Sequence, residues 1–172
     1  MLLRWGYGGS LRLGGMDLDT AVGRLKHLDR AGWVLAGHDA PESVAAHSWG
    51  VALRCLQHCP EGLDLARVLS LAIVHDLAEA EVGDITPHDG VAKADKAAME
   101  RNAMRTIAPL WLDLWEDYER GESPEAAFVR RMDALDMAKQ ANAYGEADVL
   151  DPAPFLASAE RRLSGTPWST TS

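Results

Sequence analysis

The chain has 172 residues, 47% hydrophobic and 25% charged, with 17 Lys plus Arg against 26 Asp plus Glu and a net charge of −9. That is the size and balance of one globular domain with a real apolar core, and no apolar run approaches the roughly 20 residues that span a bilayer. An acidic surface argues against a nucleic-acid polymer as partner, because phosphate backbones are gripped by basic surfaces. It leaves room for a small anion at a local cluster of cations. Cys55 and Cys59 cannot build a disulfide framework. The N-terminal stretch, with Arg4 and Arg12 but no continuous apolar block, does not read as a signal peptide. The expected setting is cytoplasmic, with no membrane partner.

Residues 1–15 hold five glycines and no period, so a flexible tail is expected there, with Met16 a possible start of the folded part. Leu18, Val22, Leu25 and Leu28 recur at three- and four-residue steps and predict a first helix. A loop is expected from Gly32 to Pro41. A second helix starts near Glu42 or Ser43 and runs to about His58, with Val44, His47, Val51, Cys55 and Leu56 on related faces. Pro60 and Gly62 end it. Asp64 is a good N-cap for a third helix through Val68, Leu71 and His75 to about Glu79, followed by a loop over Val82–Pro87. Lys93–Ala108 reads as an Ala-rich amphipathic helix that Pro109 interrupts. Trp111, Leu114, Trp115 and Tyr118 mark a short helix. Ser123 and Pro124 open a long one from Glu125 to Tyr144, closed by Gly145. A final helix is expected near Pro154–Leu163, then a tail over 164–172. No segment alternates in the manner of a strand. The predicted class is an all-α bundle of about six to seven helices, one domain over residues 16–163.

Within this frame His75-Asp76 stands out, following the apolar run Leu71-Ala72-Ile73-Val74. An imidazole and a carboxylate side by side on a helix lining a pocket can meet one divalent metal, which accepts nitrogen and oxygen donors together. Asp133 sits near the apolar face made by Val129, Met132, Leu135 and Met137, where a lone carboxylate is costly, and Asp136 faces much the same way. His47 interrupts the inner face of the second helix. Taken singly, each is better explained as a satisfied polar residue of the core. Together His47, His75, Asp76 and Asp133 offer two nitrogens and two oxygens from three helices, with room for open positions on the ion, as a catalytic site needs.

The pattern His47…His75-Asp76…Asp133 resembles the HD-domain phosphohydrolases, most closely the branch of 5′-deoxynucleotidases. Gly32-Trp33-Val34, Pro41-Glu42-Ser43-Val44, the run Leu71–Pro87 and Arg131-Met132-Asp133-Ala134-Leu135 share in the resemblance, which covers roughly residues 20–145. The family's acidic residue before the first histidine is replaced here by Ala46. The resemblance implies that His47, His75, Asp76 and Asp133 hold one divalent ion (Mn, Co, Fe, Ni, Mg or Zn) and that Glu79 and Asp84 do acid–base work. Glu79, four residues after His75, should point to the same pocket. Asp84 follows Gly83, whose backbone freedom can turn it back. By the same resemblance Lys93, ahead of Lys96, is the expected phosphate cation, Trp33 the residue beside the sugar, and the chain a homodimer. Only His88 lies between Asp76 and Asp133, so a dinuclear site is not expected. The implied reaction is hydrolysis of a deoxynucleoside 5′-monophosphate to deoxynucleoside and phosphate. The alternatives are hydrolysis of another small phosphorylated metabolite, and a non-catalytic regulatory HD domain.

Overall fold

Side-chain caps set the starts of four helices. The computed structural model describes residues 15–164, so the expected tails lie outside the described residues save for Gly15 and Ser164. Asp17, Ser43, Asp64 and Ser123 each accept backbone N–H groups of the first turn, at the starts of α1 (Leu18–Leu25), α3 (Val44–His58), α4 (Leu65–Val74) and α8 (Pro124–Glu146). The other α-helices are α2 (Ala31–Leu35), α5 (Glu79–Val82), α6 (Lys93–Ile107), α7 (Leu112–Arg120) and α9 (Ala153–Leu163), with 3₁₀ turns at Pro87–Asp89 and Pro109–Trp111. Among the described residues there is no strand, only one isolated bridge between Asp29 and Ser43. No described helix is long and apolar enough to cross a membrane.

Four features depart from the sequence expectation. The stretch after Arg30, expected as loop, contains the short helix α2 with Trp33 buried. The helix expected to run to Glu79 stops at Val74, and a tight turn with i→i−3 bonds (Leu77 N–H to Val74 O, 3.1 Å; Glu79 N–H to Asp76 O, 3.1 Å) leads into α5. The long helix also passes Gly145 and ends at Glu146. Leu56 is exposed, off the inner face of α3.

The core comes in two apolar clusters. One gathers Ala21, Leu25, Val44, Leu77, Met104 and Trp115; the other gathers Val51, Cys55, Val68, Leu71, Phe128 and Met132. His47 lies one turn after Val44 and one turn before Val51, hence on the seam between them. His75-Asp76 falls in the turn between Ala72 of one cluster and Leu77 of the other. Helices α3, α4 and α8 pack on one another, and α9 lies along α8. The polar residues are thus buried where two hydrophobic blocks meet, which shields them from water and makes unpaired groups costly.

Candidate metal centre

The two histidines are held in matching orientations. His75 Nδ1 lies 2.8 Å from the carbonyl oxygen of Ala72. A carbonyl only accepts, so Nδ1 carries the hydrogen and Nε2 presents a lone pair. His47 Nδ1 lies 3.2 Å from the Asp136 carboxylate, to which it donates. Both Nε2 atoms are buried and make no hydrogen bond of acceptable geometry. They face carboxylates instead: His75 Nε2 is 3.0 Å from Asp76 Oδ2, and His47 Nε2 is 3.2 Å from Asp133 Oδ1 and 3.9 Å from Asp76 Oδ2. The ligand atoms of His47, His75 and Asp133 all lie within 4.8 Å of one another. His47, His75 and Asp133 thus converge, with Asp76 beside both imidazoles. Once His47 gives up its Nε2 proton this donor set fits a divalent ion, with Nδ1–H partners that orient the rings as metal-bound imidazoles require.

The carboxylates are braced from outside. Tyr118 donates its hydroxyl to Asp133 Oδ2 at 2.9 Å, and Arg162 of α9 pairs with the same oxygen. Burial works against ionising Asp133, but His47 and Arg162 outweigh it and hold the acid well below the usual carboxylate range. Arg30 lies 3.3 Å from Asp76 and 3.8 Å from Asp84.

Glu79 and Asp84 stand at the rim of this group. Glu79 is buried, and its Oε2 has no hydrogen-bond partner. Burial first, then the charges of Asp76 and Asp84, push its acid well above the ordinary value. Gly83 adopts φ +82, a backbone state that disfavours side chains, and the turn it makes brings Asp84 back to accept the Ala31 N–H at 2.8 Å.

Asp76, Asp133, Glu79, Asp84, Arg30 and Arg162 line a cleft of about 330 Å³ together with Trp33 and Lys96, whereas His47 and His75 are not part of its lining. That volume suits one small molecule rather than a polymer. A larger, shallower groove of about 630 Å³ along α1 and α5 touches Glu79 and Glu81 but none of the four donors, so the chemistry belongs to the smaller cleft. Trp33 is fixed on its wall, its indole N–H donating to Glu42 at 3.1 Å and its ring against Phe155 and Tyr144. Lys93 is exposed at the start of α6 and is not part of the lining, whereas Lys96 reaches the cleft and donates to the Ile85 carbonyl at 3.0 Å. His88 is exposed on its 3₁₀ turn.

The HD domain family model matches residues 22–165 of the chain. The chain belongs to the HD-domain family. A 5′-deoxynucleotidase HDDC2 of Danio rerio is 42% identical over 133 residues, which make up 73% of this chain and 66% of that protein. The chain therefore spans just under two thirds of that relative's length. A 5′-deoxynucleotidase of Schizosaccharomyces pombe is 37% identical, over 72% of this chain and 68% of its own. A crystal structure of a Pyrococcus horikoshii protein superposes with a TM-score of 0.76 at 34% identity, covering 84% of this chain and 86% of the other.

In this HD-domain protein several residues of the cleft were invisible to the sequence reading. Arg30 and Arg162 carry no local signal, since a surface arginine near a helix end is ordinary. Gly50 acts from outside the cleft: a Cβ at that position would meet both Asp136 carboxylate oxygens at 2.7 Å, so glycine makes room for the carboxylate that meets His47 across the α3–α8 contact. A glycine in the middle of a predicted helix was the available clue.

Proposed function

We propose that this HD-domain protein is a metal-dependent phosphomonoesterase that hydrolyses deoxynucleoside 5′-monophosphates. The observation that carries the reading is the pair of buried, hydrogen-bond-free Nε2 atoms facing Asp76 and Asp133, beside a buried Glu79 and three cations, Arg30, Lys96 and Arg162, on one cleft. A pure binding module has no need of Glu79 and Asp84 next to the donors. The names of the Danio rerio and Schizosaccharomyces pombe relatives point to the same substrate class.

His47, His75, Asp76 and Asp133 would hold the ion. A divalent metal there supplies positive charge and Lewis acidity toward a phosphate oxygen and an attacking water. Arg30 and Lys96 set positive charge along the cleft, offsetting that of a phosphate dianion and orienting it. Asp84, anchored by the Ala31 N–H, orients the attacking water and accepts its proton. Glu79, which keeps its proton because burial and two neighbouring carboxylates disfavour ionisation, donates it to the leaving 5′-oxygen. Trp33, immobilised by Glu42, Tyr144 and Phe155, crowds the position of a 2′-hydroxyl and so favours deoxyribose. The homodimer and the cytoplasmic setting belong to the same proposal. Leu110 and Trp111, both exposed, are the first place to look for a subunit contact, by light scattering of a Leu110→Lys variant.

The test is phosphate release from a panel of deoxy- and ribonucleoside 5′-monophosphates, with Mn²⁺, Co²⁺ or Mg²⁺ returned to metal-stripped protein. Metal-dependent release that favours the deoxy series supports the assignment. Release from other phosphorylated metabolites alone moves the substrate elsewhere.

A further inference from the structure

The last helix, α9, lies beyond the stretch that carries the four donors, yet two of its side chains line the cleft. Arg162 pairs with Asp133 and also reaches the Arg130 carbonyl at 3.5 Å. Phe155 packs on Trp33 with ring centroids 4.2 Å apart and planes tilted by 39°, and it is only partly buried. Both belong to the cleft lining. They are seven residues apart, which on an α-helix is two turns on one face and roughly 10 Å along the axis. One end of the helix is therefore cationic and at the donor group; the other is aromatic and away from it, next to the indole on the cleft wall. Met137 and Pro87 add apolar side chains to the lining of the same cleft. A bare phosphate has use for the first end only. A partly exposed aromatic face beside a second aromatic ring is what a nucleobase needs, since every base offers a π-face for stacking.

We propose that α9 reads the substrate, with Arg162 meeting the phosphate and Phe155 stacking on the nucleobase, so that Phe155 sets the preference for nucleotides over smaller sugar phosphates. The inference rests on the monophosphatase reading above and adds to it the residue that separates a nucleotide from its sugar phosphate. If Phe155 served packing alone, its replacement would affect every ligand alike.

The experiment uses the full chain carrying Glu79→Gln, whose turnover is slowed by about 10²- to 10⁴-fold, loaded with Mn²⁺. It is titrated calorimetrically with deoxyadenosine 5′-monophosphate, 2-deoxyribose 5-phosphate and inorganic phosphate. In that background Phe155→Leu should weaken the nucleotide by roughly 5- to 100-fold and leave the other two ligands unchanged. Phe155→Tyr, which retains the π-face, should restore nucleotide affinity. Arg162→Gln should weaken all three in the same proportion. Equal losses for all three ligands in Phe155→Leu, or no loss for any, overturn the proposal, as does a parent protein that binds the nucleotide no better than the sugar phosphate. Failure of the wild-type chain to release phosphate from any deoxynucleotide is a separate result, and it overturns the monophosphatase reading instead.

Discussion

Asp136 and Gly50 meet across the α3–α8 contact so closely that a methyl group on Gly50 would lie 2.7 Å from both carboxylate oxygens. The carboxylate placed there holds His47 Nδ1 at 3.2 Å and Arg54 Nε at 3.4 Å. A helical glycine thus determines where an imidazole points. Gly50→Ala gains about 1 kcal/mol of helix propensity, while overpacking costs roughly 1–3 kcal/mol, so stability should fall by about 0–2 kcal/mol. Metal affinity is the sensitive quantity. Displacing the partner of a ligating histidine typically costs about 10- to 100-fold, and calorimetric Mn²⁺ titration of the variant should show a loss of that order. Undiminished affinity would mean that Asp136 does not orient His47.

Protons and metal compete for His47. Burial and the Arg30 charge both oppose its protonation, but Asp133 and Asp136 outweigh them and push the metal-free imidazole up to about 9. Because the folded value lies above the unfolded one of about 6.5, this proton stabilises the metal-free fold fully below pH 6.5, and that contribution is lost as pH rises through 9. Metal needs the deprotonated ring, so its binding releases a proton across the same window and tightens as pH rises. The difference in Tm between metal-loaded and metal-stripped protein should therefore widen from pH 6.5 to 9. A constant gap would argue against His47 as a ligand.

Glu79 has no hydrogen-bond partner for one buried oxygen, and burial with the nearby Asp76 and Asp84 charges raises its pKa well above the ordinary value, so it keeps the proton that a donor requires. Glu79→Gln keeps the shape and removes the transferable proton. Turnover should fall by about 10²- to 10⁴-fold, with metal affinity nearly unchanged. In the wild type kcat should decline as pH rises through the elevated Glu79 value, because the acid is then lost. Steady-state rates across pH check both statements.

Lys96 and Lys93 separate what the fold decides from what spacing suggests. Lys96 is anchored by the Ile85 carbonyl and lies 3.5 Å from Glu100, and it lines the cleft that Lys93 does not reach. Lys96→Ala should lower kcat/KM for a phosphate monoester by roughly 10- to 100-fold, the loss of one charge-assisted contact, while Lys93→Ala leaves it unchanged. The reverse order would place the phosphate on the other side of the α6 N-terminus.

The helical class, the caps at Asp64 and Ser123 and the four candidate donors are legible in the sequence because each rests on local information. Asp64 and Ser123 cap their helices through side chains a few bonds away, and His47, His75, Asp76 and Asp133 stand out because polar groups interrupt apolar faces. The end of α4 at Val74 and the short helix around Trp33 were not legible. There the burial of Trp33 and of Leu77 with Ala78 overrides the local period. The rest of the cleft is a property of packing alone. Arg30, Arg162 and Phe155 come to it from helix ends distant in sequence, and Gly50 matters only because α8 lies against it. Local periodicity records which face of a helix is buried; which side chains then meet across that face depends on how the helices cross, and only the tertiary structure settles it.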